Sequence, residues 1–450
     1  MFLLSEQVRR GIALLEAAGH EVYLVGGCVR DYYMGIEPKD FDLATSGRAE
    51  EVKSVFQNFR VIETGLSHGT VTVLLEGVSL EITTYRSDGA YSDHRHPDKV
   101  SFVGSLEEDL KRRDFTMNAM AYHPQRGLVD IFGGREDIAK GIVCCVGQPE
   151  ERFSEDALRI LRGLRFASRL GFSIEEKTSA AMFSKGQLLA EISAERLQQE
   201  MTGILCGRAV KDILLSYSDI FGVVIPEILP MVGFLQETPY HIYDVFTHTA
   251  VAVSKTAPDG ILRWTMLLHD IGKPACFFKD ADGIAHFHGH NQLGGEMSRE
   301  ILQRLRFDKE TGSRIETLVS VHDVQIPATS SAVKRWLNRL GAEGFFQLIA
   351  VKRADNLAQS PKYQERQALC DALEAIAKEV IAAEECFSLR DLEVNGSDLI
   401  ALGYTGKEIG DRLQNMLELV MDGKVPNQRQ VLLGVLGQAV DGATLSEDLE

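Results

Sequence analysis

The chain has 450 residues, a formal net charge of −17 and an apolar content of 44%. That length exceeds what one hydrophobic core supports and predicts three or four domains; no run of about 18 uncharged apolar residues is available to span a bilayer. So acidic a balance argues, taken alone, against a nucleic-acid binder, because polyanion binding relies on Lys and Arg displacing counterions.

The N-terminal stretch MFLLSEQVRRGIALLEAAG becomes charged by Glu6 and lacks a cleavage pattern, so it predicts an amphipathic helix of a cytoplasmic protein. Residues 22–42, VYLVGGCVRDYYMGIEPKDFD, follow as an apolar strand, a Gly-Gly turn, a helix with Arg30 and Asp31, and then Asp40 and Asp42. Strand alternation sends Asp40 and Asp42 to one face and Phe41 to the other, so two carboxylates can share Mg²⁺. Gly26 and Gly27 leave backbone N–H groups open to a triphosphate, with no Cβ in the way. Alone, each motif reads as readily as a surface turn or an acidic loop; their order and spacing together predict a nucleotide-handling active site. The runs TVTVLL, SLEITTY and KVSFVG are of β type and end at the turn-rich IFGGRED, giving an α+β domain over 1–140. Glu81, in SLEITTY, reads equally as a third carboxylate or a solvated strand residue, and SDGAYSDHRHPDKVSFVGSLEED reads as a mobile loop.

From about residue 150 the periodicity is almost wholly helical, with breaks near Pro226 to Pro230, at Pro258 and around Pro327, which predicts segments 141–222, 223–380 and 381–450. Lys111, Arg112 and Arg113 are contiguous, and Arg152, Arg159, Arg162, Arg165 and Arg169 fall within eighteen residues, a local basic lane compatible with a salt-sensitive RNA footprint. Asp156, Arg159, Arg162 and Arg165 are spaced as one spiralling helix face, which by spacing alone reads as an exposed, salt-bridged helix.

Seven of the twelve histidines lie between 241 and 322. His248, the His269-Asp270 doublet, His290, His322 and Asp355 follow the order H…HD…H…H…D, and such imidazoles and carboxylates suit Mg²⁺, Mn²⁺, Ni²⁺ or Fe²⁺ rather than a structural zinc. Lys273, in LLHDIGKP, is placed to meet a substrate phosphate, while His286 and His288 read as bystanders, since side chains two apart on a helix face different ways. The seven cysteines form no CxxC pair and read as buried thiols.

With residues 25–42, KRRDFTMNA at 111–119 and EDALRILRGLRFA at 155–167 in view, the chain resembles the class II tRNA nucleotidyltransferases, the CCA-adding enzymes, over residues 20 to about 205 and more weakly at 394–436. The histidine order resembles the HD-domain metal phosphohydrolases. These resemblances imply an α+β polymerase-β-like head, an all-α neck, an HD-domain body and a helical tRNA-binding tail. They imply tRNA, CTP and ATP as partners, with no membrane; oligomeric state is left open. Asp40 and Asp42 would hold catalytic Mg²⁺; Gly26, Gly27, Arg30, Arg113, Asp114 and Asn118 would contact the nucleotide; Asp156 and Arg159 would read its base, with Arg162 and Arg165 helping to hold it. The loop after TTYR resembles the one that switches specificity from C to A, and Glu195, Arg196 and Glu200 resemble a motif bracing the neck by ion pairs. The HD site implies hydrolysis of 2′,3′-cyclic or 2′-phosphates. Three other readings stay open: a poly(A) polymerase, the A-adding half of a split pair, and an HD-domain hydrolase with a vestigial RNA-binding head.

Overall fold

The computed structural model describes residues 4–65, 69–88, 100–102, 104–238, 240–281, 283–363 and 366–444. Most of the stretch expected to form the C-to-A switching loop, 89–99 and 103, lies outside the described residues. The chain forms two compact units, one of residues 1–232 with 301–307, the other of 233–300 with 308–450. The first unit therefore contains both the expected head and the expected neck.

The first helix, α1 (Glu6–Ala17), starts where the Ser5 hydroxyl accepts from the Val8 amide at 3.3 Å, and it buries Val8, Ile12 and Leu15 at helical spacing. Then come β1 (Val22–Val25), α2 (Gly27–Tyr33), β2 (Phe41–Thr45), α3 (Ala49–Val55), β3 (Arg60–Gly65), β4 (Thr70–Leu75) and β5 (Val78–Thr84). The pair β6 (Arg86–Asp88) and β7 (Val100–Phe102), the helix α4 (Leu106–Lys111), and strands β8 (Ala121–His123) and β9 (Gly127–Val129) complete the head. Seven strands form one sheet in the order β3-β4-β5-β2-β1-β8-β9, in which only β2 and β5 run parallel. All four residues of β1 are buried, as a central strand requires. The registers set Asp42 opposite Val25 on one side and opposite Glu81 on the other, so Asp42 and Glu81 share a face of the sheet.

Helix α5 (Gly134–Lys140) closes the head; the segment that follows holds the paired strands β10 (Ile142–Val143) and β11 (Ser173–Ile174) and the helices α6 (Pro149–Glu155), α7 (Leu158–Leu170), α8 (Glu176–Lys185), α9 (Ala194–Leu205), α10 (Val210–Ser216) and α11 (Ser218–Val224). Here the structure corrects the single arginine helix. Asp156 is extended (φ −137°, ψ 101°) between α6 and α7, and its carboxylate accepts from the Leu158 amide at 3.1 Å, so the chain breaks one turn before Arg159. An aspartate that bonds the amide two residues on competes with the helix for that donor. Gly163 lets α7 pack tightly: a Cβ there would meet Met182 Cε at 2.4 Å and Phe115 Cζ at 2.9 Å.

In the second unit α12 (Val245–Lys255) is capped by Asp244, and α13 (Gly260–Leu268) by Asp259. The short α14 (Lys273–Cys276) leads to a hairpin of β12 (Phe278–Lys279) and β13 (Ala285–His286), followed by α15 (His290–Arg304) and α16 (Lys309–Val321). A long helical segment, α17 (Ser330–Ala358), is broken at Gly341 (φ +72°), and α18 (Arg366–Ala382) packs beside it. Two hydrophobic clusters divide this unit: one is built around Leu337, Phe345, Leu348 and Leu373, the other around Leu399, Leu417 and Leu432. No helix among the described residues is long and apolar enough to cross a membrane.

Gly163→Val should lower stability by roughly 1–3 kcal/mol through overpacking against Met182 and Phe115, read as a lower urea midpoint with an unchanged m-value.

Candidate active sites

In the first unit a cleft of about 490 Å³ is lined by Gly26, Gly27, Asp42 and a ring of guanidinium groups. Gly26 opens α2 with φ +71° and ψ −132°, and a Cβ on it would stand 3.0 Å from Arg113 Nη1 and 3.6 Å from Asp42 Oδ2. Glycine is needed there both for its backbone and for its lack of a side chain. Asp40 is exposed just before β2, and Asp42 lies half-buried within it. Burial and the neighbouring Glu81 carboxylate, with a smaller push from Asp40 and opposition from Arg113, raise Asp42 to a pKa of about 6. A carboxylate held reluctant to ionise by two others is in the electrostatic situation that a divalent cation relieves. Glu81 is a neighbour of Asp42 and is also exposed to solvent, so both of its readings stay open.

The guanidinium groups are aimed by buried acids. Asp109, on α4, accepts from Arg112 Nε and Nη2 at 2.9 and 2.8 Å and from Arg113 Nη2 at 3.2 Å. Burial alone would raise its pKa, but Arg113 and Arg112 hold it below the usual range. Asp114 is buried too: Arg162 donates to its Oδ2 through Nε at 2.9 Å and Nη2 at 2.6 Å, and Asn118 donates to its Oδ1 at 3.2 Å. Despite burial, these partners bring Asp114 to a pKa of about 2. Asn118 in turn accepts from Arg30 Nη1 at 2.8 Å, so Arg162, Asp114, Asn118 and Arg30 form one chain of charge-assisted hydrogen bonds. Arg159 donates to Glu155 at 2.7 Å and to the Arg112 carbonyl at 3.2 Å. Asp156 Oδ2 accepts from Arg196 at 3.0 Å, and all of Arg30, Arg113, Asp156, Arg159 and Arg162 face the cleft.

Arg165 does not: its Nε donates to Glu200 at 2.6 Å, and it is not among the side chains lining the cleft. Arg196 and Glu200 thus both form ion pairs with the segment around α7. Sequence reasoning missed Asp109, Arg86 and Phe166. Arg86 and Phe166 line the cleft, and Phe166 has the guanidinium groups of Arg30, Arg162 and Arg165 at 5.3, 5.7 and 4.7 Å from its ring centre. The available signals were an aromatic residue inside an arginine helix, and an acid three and four residues before an Arg pair.

In the second unit all six expected side chains converge. His248 comes from α12, His269 and Asp270 from the end of α13, His290 from the start of α15, His322 from the end of α16 and Asp355 from α17. Asp270 is shared: its Oδ2 faces His269 Nε2 at 3.2 Å and His248 Nε2 at 3.5 Å, and its Oδ1 faces His290 and His322 at 3.6 and 3.7 Å. Asp355 Oδ1 lies 2.9 Å from His248 Nε2. His269, His290 and His322 turn Nδ1 to the carbonyls of Met266, Phe287 and Val319 at 2.7, 2.8 and 2.7 Å, and His248 faces that of Ala358 at 3.4 Å. A carbonyl only accepts, so the protons sit on Nδ1 and the Nε2 lone pairs face inward. Those of His248 and His269 stand 3.3 Å apart, as do those of His290 and His322. Ring nitrogens converging at that distance, beside two carboxylates, fit cation ligation; the two triads His248–His269–Asp270 and Asp270–His290–His322 each hold their ligand atoms within 4.8 Å. Lys273 donates to Asp270 at 2.7 Å and to Gln236 at 2.8 Å and lines the adjoining cavity of about 300 Å³.

Residues 22–144 match the poly A polymerase head domain, 171–231 the RNA and SrmB-binding site of polymerase A, and 279–436 the tRNA nucleotidyltransferase domain 2. The chain is 33% identical to the CCA-adding enzyme of Bacillus velezensis over 420 residues, covering 92% of this chain and 93% of that one. A local match to the CCA-adding enzyme of Geobacillus kaustophilus, 48% identical over 214 residues, spans 48% of this chain and 52% of that one. The crystal structure of the Bacillus stearothermophilus CCA-adding enzyme in complex with CTP superposes with a TM-score of 0.72 at 27% identity, covering 98% of each chain. The chain belongs to the CCA-adding enzyme family.

Since the folded-state pKa of Asp42 lies above its ordinary value of 3.8, the stability it contributes is present at low pH and is lost as pH rises through about 6. A divalent cation bound at these carboxylates would restore it, and Mg²⁺ serves as the probe. The melting-temperature gain on adding Mg²⁺ should therefore grow from pH 5 to pH 7.5 in the wild type, and the part of that growth due to this site should vanish in Asp42→Asn.

Proposed function

We propose that the chain adds C, C and A to the 3′ end of tRNA, using CTP and ATP and releasing pyrophosphate, in the cytoplasm. The observation that carries this reading is the cleft in which Asp42, beside Asp40 and Glu81, faces Gly26, Gly27 and six arginines, in a chain whose full-length relatives are CCA-adding enzymes. Asp40 and Asp42 would hold Mg²⁺, which when bound favours deprotonation of the attacking 3′-OH and neutralises charge on the pyrophosphate. Arg30 and Arg113 take the triphosphate, held in place by Asn118 and Asp109. Asp156 and Arg159 read the base. Cytosine and adenine both offer an exocyclic amine beside a ring-nitrogen acceptor, matching a carboxylate and a guanidinium, whereas uracil and guanine reverse the pattern. Asp156 already accepts two hydrogen bonds, from Leu158 and Arg196, and a carboxylate has about four lone-pair sites, so capacity for the amine remains.

The second centre is read as a metal-dependent phosphohydrolase acting on 2′,3′-cyclic or 2′-phosphates. His248, His269, Asp270, His290, His322 and Asp355 would hold Mg²⁺, Mn²⁺, Ni²⁺ or Fe²⁺, which when bound supplies an activated water. What supports this is the sharing of Asp270 between two imidazole pairs and the placement of Lys273 at the cavity wall.

The function is tested with tRNA transcripts ending at the discriminator base, at C or at CC, supplied with CTP, ATP or both, the products being resolved at single-nucleotide length. Asp40→Ala and Asp42→Ala should abolish every addition while leaving tRNA affinity nearly unchanged. Asp156→Ala should lower the preference for CTP and ATP over UTP and GTP by about 10-fold or more, one base-edge contact being worth roughly 1–3 kcal/mol; equal loss for all four nucleotides would refute the base-reading role.

The two centres lie in different compact units, so their substitutions should act nearly additively. Asp270→Ala should remove metal-stimulated phosphoester hydrolysis and leave CCA addition intact, and Asp42→Ala should do the reverse, assayed in parallel across Mg²⁺, Mn²⁺ and Ni²⁺.

A further inference from the structure

The hairpin before α15 carries rings that neither metal ligation nor hydrolysis employs. The sequence places His286 and His288 as bystanders on a helix, but His286 ends the strand β13 and His288 lies in the turn that follows it, which brings the two rings together. The two imidazoles accordingly stack, with centres 5.3 Å apart and planes 22° from parallel. Phe278, opposite His286 on β12, closes the group: its ring lies 5.2 Å from His286 at 27° and 5.4 Å from His288 at 48°. Asp280 fixes His286 through a 2.6 Å contact to Nε2. His286 and His288 line the same cavity as Asp270, His290 and His322, and so do Tyr240 and Arg366, whose guanidinium stands 5.2 Å from the Tyr240 ring centre. His288 is exposed, and Phe278 is 44% exposed.

We propose that this three-ring stack is a nucleobase platform that sets the specificity of the second centre, selecting phosphoesters attached to a nucleoside over those that are not. The proposal rests on reading the cavity as a phosphoester site. The two imidazoles lie nearly parallel but offset, and His286 Nε2 is engaged by Asp280; neither ring belongs to the clusters of ligand atoms around Asp270, so the pair is free of that role. An exposed ring beside a cavity that gathers Lys273 and Arg366 offers a flat apolar face next to cationic groups. That combination matches a base joined to a phosphate, and stacking tolerates any base because every base has a π-face.

The test compares kcat/KM for 2′-AMP with that for glycerol 2-phosphate, which has no ring, and for phosphotyrosine, in wild type, His288→Ala and His288→Phe with Mn²⁺. The expected result is a wild-type preference for 2′-AMP over both other probes that falls about 10-fold in His288→Ala, through KM rather than kcat, and is kept in His288→Phe. An unchanged preference in His288→Ala, an equal loss in His288→Phe, or a preference for phosphotyrosine would overturn the proposal. If the wild type hydrolyses none of the three, the phosphohydrolase reading fails by itself. Calorimetric binding of 2′-AMP in Mn²⁺ then decides the platform: weaker binding to His288→Ala than to wild type and His288→Phe supports it, and equal binding to all three overturns it.

Discussion

The arrangement of the nucleotide cleft depends on one buried carboxylate. Asp114 has no solvent to share its charge, and it is ionised because Arg162 grips it with two donors while Asn118 and the Phe115 amide add two more. Such a pair is a poor source of net stability, since the cost of removing both charges from water nearly cancels their attraction. Its effect is geometric. Arg162 is pulled across from α7 to the turn at 114–118, and Asn118, oriented by donating to Asp114, is left with its carbonyl toward Arg30 on α2. One acid thereby fixes the directions of two guanidinium groups from two different helices.

The two centres meet the same difficulty with different chemistry. In the head, negative charge accumulates at Asp42, Glu81 and Asp40, and positive charge surrounds it, so the cleft presents one set of groups suited to a cation and another suited to an anion. In the second unit the ligands are mostly imidazoles, neutral when their Nδ1 protons are committed to backbone carbonyls. Three of those carbonyls lie three residues before the histidine that they orient, so the helix ends and the turn at Phe287 set the tautomer without any additional side chain. Hard oxygen ligands suit Mg²⁺; a set dominated by nitrogen suits later transition metals.

Much of this was legible in the chain. The runs VYLV, TVTVLL and SLEITT are strands because alternation or continuous apolarity has no other economical use, and H…HD…H…H…D assembled because each histidine sits at or near a helix end aimed at one interior. Where reading failed, a local choice had been decided by a competing hydrogen bond or by pairing at a distance. Asp156 left the helical face because its carboxylate captured the Leu158 amide. His286 and His288 could not be recognised as a stack because a strand of two residues has no periodicity, and it exists only by pairing with Phe278 and Lys279. Asp109 is the exception: its arginines, Arg112 and Arg113, lie only three and four residues on, a local spacing that the sequence did carry. Arg165 had the spacing of a cleft residue, but Glu200 on a different helix took it.

The basic lane seen in the sequence acquires a different meaning in three dimensions. Arg112, Arg113 and Arg159 are not a solvated stripe open to an RNA backbone: their side chains are 17%, 18% and 10% exposed, and each is paired with a buried or half-buried acid. A solvated stripe would bind through released counterions and weaken steeply with salt. Arginines held in place at the wall of a cleft act on a compact ligand at short range, where screening over about 8–10 Å has little reach. Their acids offset part of that positive charge and lessen the repulsion between the guanidinium groups. Such pairing leaves the donors oriented in advance, which lowers the cost of binding any compact anion. The acidic excess of the whole chain is therefore compatible with anion recognition, because recognition is set by the local pairing of a few arginines rather than by the sign of the total.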